Sequence, residues 1–123
     1  MLQLEYENLA EDGRINHLSF CGLLKKAVKE LKKTRKFRMR DFEGFIRLVL
    51  VNDKMIRRLN REYRLIDKPT DVLSFSYFGQ ENFPGDDTVG EIIISVDTAK
   101  RQSHEKRVSL RKEMEFLFVH GLL

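Results

Sequence analysis

The sequence predicts an α+β domain, a small mixed β-sheet of about four strands packed with helices, with a central buried helix at the C-terminal end. Three observations lead there. Runs rich in β-branched residues alternate with segments of helical period. Two strand-like runs are separated only by the turn-rich "GQENFPGDD", which makes them antiparallel neighbours. The closing segment, "EMEFLFVHGLL", is apolar from Met114 onward on nearly every side, so a helix there has to be enclosed by the rest of the fold. With 123 residues and 41% hydrophobic content, the chain suffices for a single domain spanning 1–123.

Each element follows from local pattern. "LQLEYEN" alternates Leu2, Leu4 and Tyr6 with polar neighbours, as a half-buried strand does. From Leu18 to Lys36, Leu24, Ala27, Val28 and Leu31 recur at helical spacing and lysines fill the opposite face. "FIRLVLVN" is too apolar to have a wet face and reads as an interior strand. Asp53 then offers an N-cap for a short helix in which Ile56, Leu59 and Tyr63 share a side. Pro69 keeps Lys68 out of helix, so the chain is turning or extended as it enters the strand "TDVLSFSYF". After the Gly85 loop, "VGEIIISV" is a strand, Ser95 or Asp97 caps a helix over "TAKRQSHEK", and Ser109 caps the last one.

Composition narrows the class. At 34% charged with apolar positions throughout, the chain is neither disordered nor collagen-like. No apolar run approaches the roughly 20 residues of a membrane span. The acidic N-terminus lacks the basic and apolar regions of a secretory signal, so a cytoplasmic location is expected. Cys21, the single cysteine, is expected to be a small buried hydrophobe with no catalytic role. Net charge is +4, but its distribution matters more: Lys25 to Arg40 holds nine Lys or Arg against one Glu. Such a stretch suits a polyanion held through its phosphates, although basic helix faces are more often only solvated.

Two segments could carry chemistry. In "NREYRLIDKPTDVLSF", Arg64 offers a guanidinium fork suited to phosphate, against the plainer role of pairing with Asp67 or Glu62. Asn60, Asp67, Thr70 and Asp71 fit turn chemistry around the X-Pro kink. In "HGLL", His120 is either a satisfied core histidine or a metal ligand; a helical partner ligand four residues on would lie past Leu123. His17 and His104 make no pair with it. The sequence shows no CxxC, no Ser-His-Asp order and no phosphate-cradling glycine loop.

Taken together, "LNREYRLIDKPTDVLSF", "VGEIIISVDTAKRQS" and "EMEFLFVHGLL" resemble, in order and spacing, the YbeY family of bacterial metal-dependent endoribonucleases, also described as ribosomal RNA maturation factors. The resemblance implies a single-strand-specific endoribonuclease active in ribosomal RNA processing, small-subunit RNA maturation and ribosome quality control. RNA would be its substrate, and the ribosome or small-subunit factors its partners. It implies Arg64 as the catalytic and substrate-binding arginine, with Lys25, Lys29, Lys32 and Lys33 as candidate RNA contacts. It also implies one zinc ion, with His120 as the first of three histidine ligands in the motif H-G-x-L-H-x-x-x-G-x-D-H. Zinc would bring its bound water's pKa to about 7. The sequence stops inside that motif, so two ligands are expected beyond Leu123, and this truncated chain is expected to be inactive. The glycine after His120 disfavours protease chemistry of the H-E-x-x-H kind. The alternatives are a non-catalytic RNA- or ribosome-binding module and a zinc-dependent hydrolase of another substrate.

Overall fold

The computed structural model describes residues 2–11, 15–34, 43–77 and 88–122. Among them the elements fall in the expected order: β1 (Leu2–Asn8), α1 (Leu18–Leu31), β2 (Gly44–Val51), α2 (Asp53–Arg64), β3 (Val72–Ser76), β4 (Thr88–Ser95), α3 (Val96–Lys106) and α4 (Leu110–Leu122). The loop reading of "GQENFPGDD" and the end of the basic run, residues 35–40, lie outside the described residues. No helix is long and apolar enough to cross a membrane among the described residues.

The four strands form one sheet in the order β1-β2-β4-β3. β1, β2 and β4 run parallel, and β3 pairs antiparallel with β4. β2 and β4 are therefore interior and covered on both faces, which is why their sequences are continuous apolar runs and not alternating ones. Alternation still decides which residue goes where. Leu48, Leu50, Ile92 and Ile94 face the helices α1 and α4, joining Phe20, Leu24, Met114, Leu117 and Phe118 in the main core. Val49, Val51, Leu73 and Ile93 face the other way and close over Ile56 of α2. Phe20 and Phe118 meet edge to face with centroids 5.3 Å apart, locking α1 to α4.

Three local expectations are corrected. α1 ends at Leu31, short of Lys36, because its last turn tightens: Thr34 returns its amide and hydroxyl to the Leu31 carbonyl at 3.0 and 2.8 Å. The cap of α2 is Asn52, whose side chain accepts from the Met55 amide at 2.9 Å, and not Asp53. Cys21 is half-buried, beside the core and not in it. The other caps are as expected, with Ser95 accepting from the Thr98 amide and Ser109 from the Lys112 amide.

Asp53 serves a longer-range purpose. Its Oδ1 accepts from the Ser95 and Thr98 hydroxyls at 2.6 and 2.7 Å, and Arg101 pairs with its Oδ2 at 2.8 Å. The Asp53 amide donates to Asp97 at 2.9 Å in return. The N-termini of α2 and α3 are thereby stapled together, each helix placing a carboxylate at the positive end of its own macrodipole. Burial alone would push the Asp53 carboxyl up, but the hydrogen bonds from Ser95, Thr98 and Arg101 outweigh it and hold it below its usual range. A folded pKa below the unfolded one gives stability that is present above the unfolded value and is lost as pH falls through the folded one. Asp53→Asn is therefore expected to lose about 1–3 kcal/mol at neutral pH. It should also show a weaker further loss on acidification below about pH 4. Denaturant titrations across pH check this; parallel acid profiles for the two proteins would remove Asp53 as a source of the pH dependence.

Candidate functional site

The site is organised around β3, the edge strand. Across the β3–β4 pair, the Ser95 amide bonds the Asp71 carbonyl and the Tyr77 amide bonds the Val89 carbonyl, both at 2.9 Å. Antiparallel ladders alternate, so residues 73 and 75 also aim their backbone groups at β4, and Val72, Ser74 and Ser76 aim theirs at the free edge. That edge is partly occupied. The Val72 amide donates to the Asp71 carboxylate at 2.7 Å, and the Ser74 carbonyl accepts from Arg64 at 2.9 Å.

Arg64 reaches this edge because of how α2 ends. Leu65 adopts a left-handed conformation (φ 60°), closing the helix onto the Asn60 carbonyl. Asn60 is buried and donates its side-chain amide to the Lys68 carbonyl at 2.8 Å, so the turn toward Pro69 is held from inside. Asp67 is bound by Arg57 at 2.9 Å, and that guanidinium holds its carboxyl below the usual range. The plainer expectation of an Arg64–Asp67 pair is thus replaced by Arg57–Asp67. Arg64 instead lies 4.9 Å above the centre of the Phe75 ring, with Tyr63 meeting the same ring edge-on at 5.4 Å. A guanidinium fixed by one carbonyl and one aromatic face keeps further N–H donors free to point outward, and Arg64 is exposed.

α4 approaches β3 from the opposite face of the sheet. Gly121 makes the approach possible: a Cβ there would lie 3.0 Å from a methyl of Ile92 and 3.3 Å from one of Val72. A side chain there would require the Ile92 and Val72 methyls to give way by a few tenths of an ångström. His120 precedes this contact and is exposed, its ring stacked on Phe116 with centroids 6.2 Å apart. Phe116 is itself 56% exposed, and Lys106 sits 4.3 Å over its ring. The apolar run of α4 is thus buried along one side, through Met114, Leu117 and Phe118, while Phe116 and His120 stand outside. The expectation of a helix enclosed on nearly every side is corrected accordingly; helical period places those two residues away from the core. Beside the end of α4, a groove of about 260 Å³ runs between α1 and the sheet. Among the described residues its lining is mostly apolar, with Ser74, Ser76 and Glu91 as the polar side chains.

The structure brings Arg64 and the His120-Gly121 pair to the same strand from its two faces. Lys25, Lys29, Lys32 and Lys33 are exposed on and just past α1, with Lys33 paired to Glu30 at 3.1 Å. A zinc ion takes three or four protein donors. Among the described residues no group of three His, Cys, Asp or Glu could hold an ion, so these residues alone do not fit a zinc site; His120 is a single donor. The sequence reading missed Phe75 and the Ser74 carbonyl as the supports of Arg64, for which no local signal exists. It also passed over a set of cations on α2 that helical spacing does show.

This chain is thus an α+β domain that presents an exposed arginine at a sheet edge and an exposed histidine at the end of a helix across that strand. Residues 5–123 match the family described as Endoribonuclease YbeY, and the chain belongs to that family. It is 55% identical over 87 residues to Endoribonuclease YbeY of Heliobacterium modesticaldum, covering 63% of this chain and 52% of that protein. It is 40% identical over 108 residues to the protein of the same description from Pelotomaculum thermopropionicum, covering 85% and 69%. The solution structure of TM1509 from Thermotoga maritima is similar at TM-score 0.62 and 19% identity, over 98% of this chain and 69% of that one, which shows a shared fold. The chain thus spans 52% and 69% of the length of these two sequence relatives.

Proposed function

We propose that this chain acts within a metal-dependent endoribonuclease that cuts single-stranded RNA in ribosomal RNA processing and ribosome quality control. Ribosomal RNA would be the substrate, ribosome or small-subunit factors the partners, and the cytoplasm the place of action. The observation that carries the reading is Arg64, set by Ser74 and Phe75 in one orientation with free donors at an exposed edge. A planar fork of that kind binds two oxygens of a phosphodiester at once. Because it is fixed before substrate arrives, it stabilises the charge that develops on those oxygens without reorganising. The names of the relatives, endoribonucleases, support RNA as the polyanion. His120 is proposed as one zinc donor, the others coming from outside the described residues.

The test uses a form extended to the length of its relatives, with zinc content and cleavage of an unstructured and a duplex RNA as readouts. Stoichiometric zinc and cleavage of the unstructured RNA are expected, both lost in His120→Ala. RNA binding without zinc or cleavage would leave a non-catalytic binding module. Hydrolysis of a non-nucleic ester in place of RNA would leave a hydrolase of another class.

A further inference from the structure

The outer face of α2 carries a stripe of cations of which Arg57 serves the fold, by holding Asp67, and Arg64 the proposed cleavage site, while Lys54, Arg58 and Arg61 serve neither. Lys54, Arg57, Arg61 and Arg64 recur at steps of three, four and three, with Arg58 beside Arg57, and all five are exposed. At 1.5 Å per residue the stripe is about 15 Å long. Lys54, Arg57, Arg58 and Arg61, with Asp67, line a basin of about 300 Å³.

Helix energetics do not account for this arrangement. Cations are favoured at the C-terminal end of a helix, which suits Arg61 and Arg64, but Lys54 lies in the first turn at the positive end of the dipole. Like charges three or four residues apart destabilise a helix by about 0.2–0.5 kcal/mol per pair, and the stripe contains several such pairs. Internal compensation is small. Asp67 answers Arg57, while Asp53 is taken up by Ser95, Thr98 and Arg101, and Glu62 lies on the flank beyond Arg58. A row of five cations that has only Asp67 beside Arg57 and Arg61 to offset it, and that leads to Arg64, is what a chain of phosphates would neutralise.

We infer that the α2 stripe is a docking track for the backbone of single-stranded RNA, delivering the strand to Arg64 at the β3 edge. This rests on the ribonuclease reading above and adds a binding surface to it, on the sheet face opposite α1. The lysines of α1 are then not the principal phosphate contacts.

The test measures binding of an unstructured oligouridylate by this chain as a function of salt. The variants are Lys54→Gln/Arg58→Gln/Arg61→Gln, the same triple with Arg58→Lys/Arg61→Lys in place of glutamines, and Lys25→Gln/Lys29→Gln/Lys32→Gln/Lys33→Gln. Arg57 and Arg64 stay unchanged because they hold Asp67 and the β3 edge. Each phosphate contact on a single strand contributes about −0.7 to the slope of log K against log salt. The glutamine triple should make that slope shallower by about 2 and weaken binding roughly 10-fold or more near 0.1 M salt. Its melting temperature should equal or exceed the parent's, since repulsion is relieved, and the version with lysines at 58 and 61 should recover most of the slope. An unchanged slope in the triple, or a loss confined to the α1 variant, overturns the track while leaving the ribonuclease reading standing. Failure of the parent chain to bind RNA at all also overturns the track, and the ribonuclease reading is then decided by cleavage in the extended form.

Discussion

Arg64→Ala is expected to lower kcat/KM for RNA cleavage by about 10²–10³-fold in the extended form, with a stability loss of only about 1 kcal/mol. The disparity follows from the geometry. In the folded chain Arg64 makes one hydrogen bond, to the Ser74 carbonyl, and one cation–π contact, to Phe75, both at an exposed position. Contacts of that kind contribute little to folding. In a transition state the same side chain would meet concentrated negative charge from a fixed position, and its removal forfeits stabilisation made only there. Arg64→Lys should recover only part of the activity, since an ammonium keeps the charge but loses the fork and the stacking on Phe75. Phe75→Leu supplies a further check: it leaves the arginine in place, removes its aromatic support, and should reduce activity less than Arg64→Ala does. Cleavage unaltered in Arg64→Ala would take this arginine out of the site.

What the sequence made legible, and what it did not, divides along the range of the interactions. The order of strands and helices was readable because each is set by neighbours a few positions away: the two apolar runs of β2 and β4, the alternation of β1, the Pro69 turn, and the Ser95 and Ser109 caps. Family resemblance named Arg64 and His120, but not what holds them. Arg64 takes its orientation from Ser74 and Phe75 across a turn, and Asp53 finds its partners beyond position 94. Such contacts exist only once the sheet has assembled. The misjudged surroundings of His120 have a related cause. An all-apolar helical run does not say which side the fold will cover, and Phe116 and His120 were left outside.

The same limit applies to Glu113, which no local pattern would place in a core. It is 1% exposed, accepts from Lys106 at 2.9 Å, and leaves its second carboxylate oxygen without a hydrogen-bond partner among the described residues. Lys106 thus joins α3 to α4 by its charge, and its ammonium also sits over Phe116, on which His120 stacks. Removing one partner of a buried pair is harsher than removing both, because a lone charge is left without water. Lys106→Met is expected to destabilise by about 2–4 kcal/mol, short of the full penalty because Lys106 is 47% exposed. Glu113→Gln should destabilise less, since an amide in that place carries no charge. The double variant Lys106→Met/Glu113→Gln should be more stable than Lys106→Met alone, giving a coupling of about 1–2 kcal/mol in a double-mutant cycle. Thermal and denaturant unfolding of the four proteins would measure it. A Lys106→Met protein as stable as the parent would mean that Glu113 does not depend on this lysine, and that α3 is held to α4 by the shared apolar core to which Ala99 and Met114 belong, without help from the charge pair.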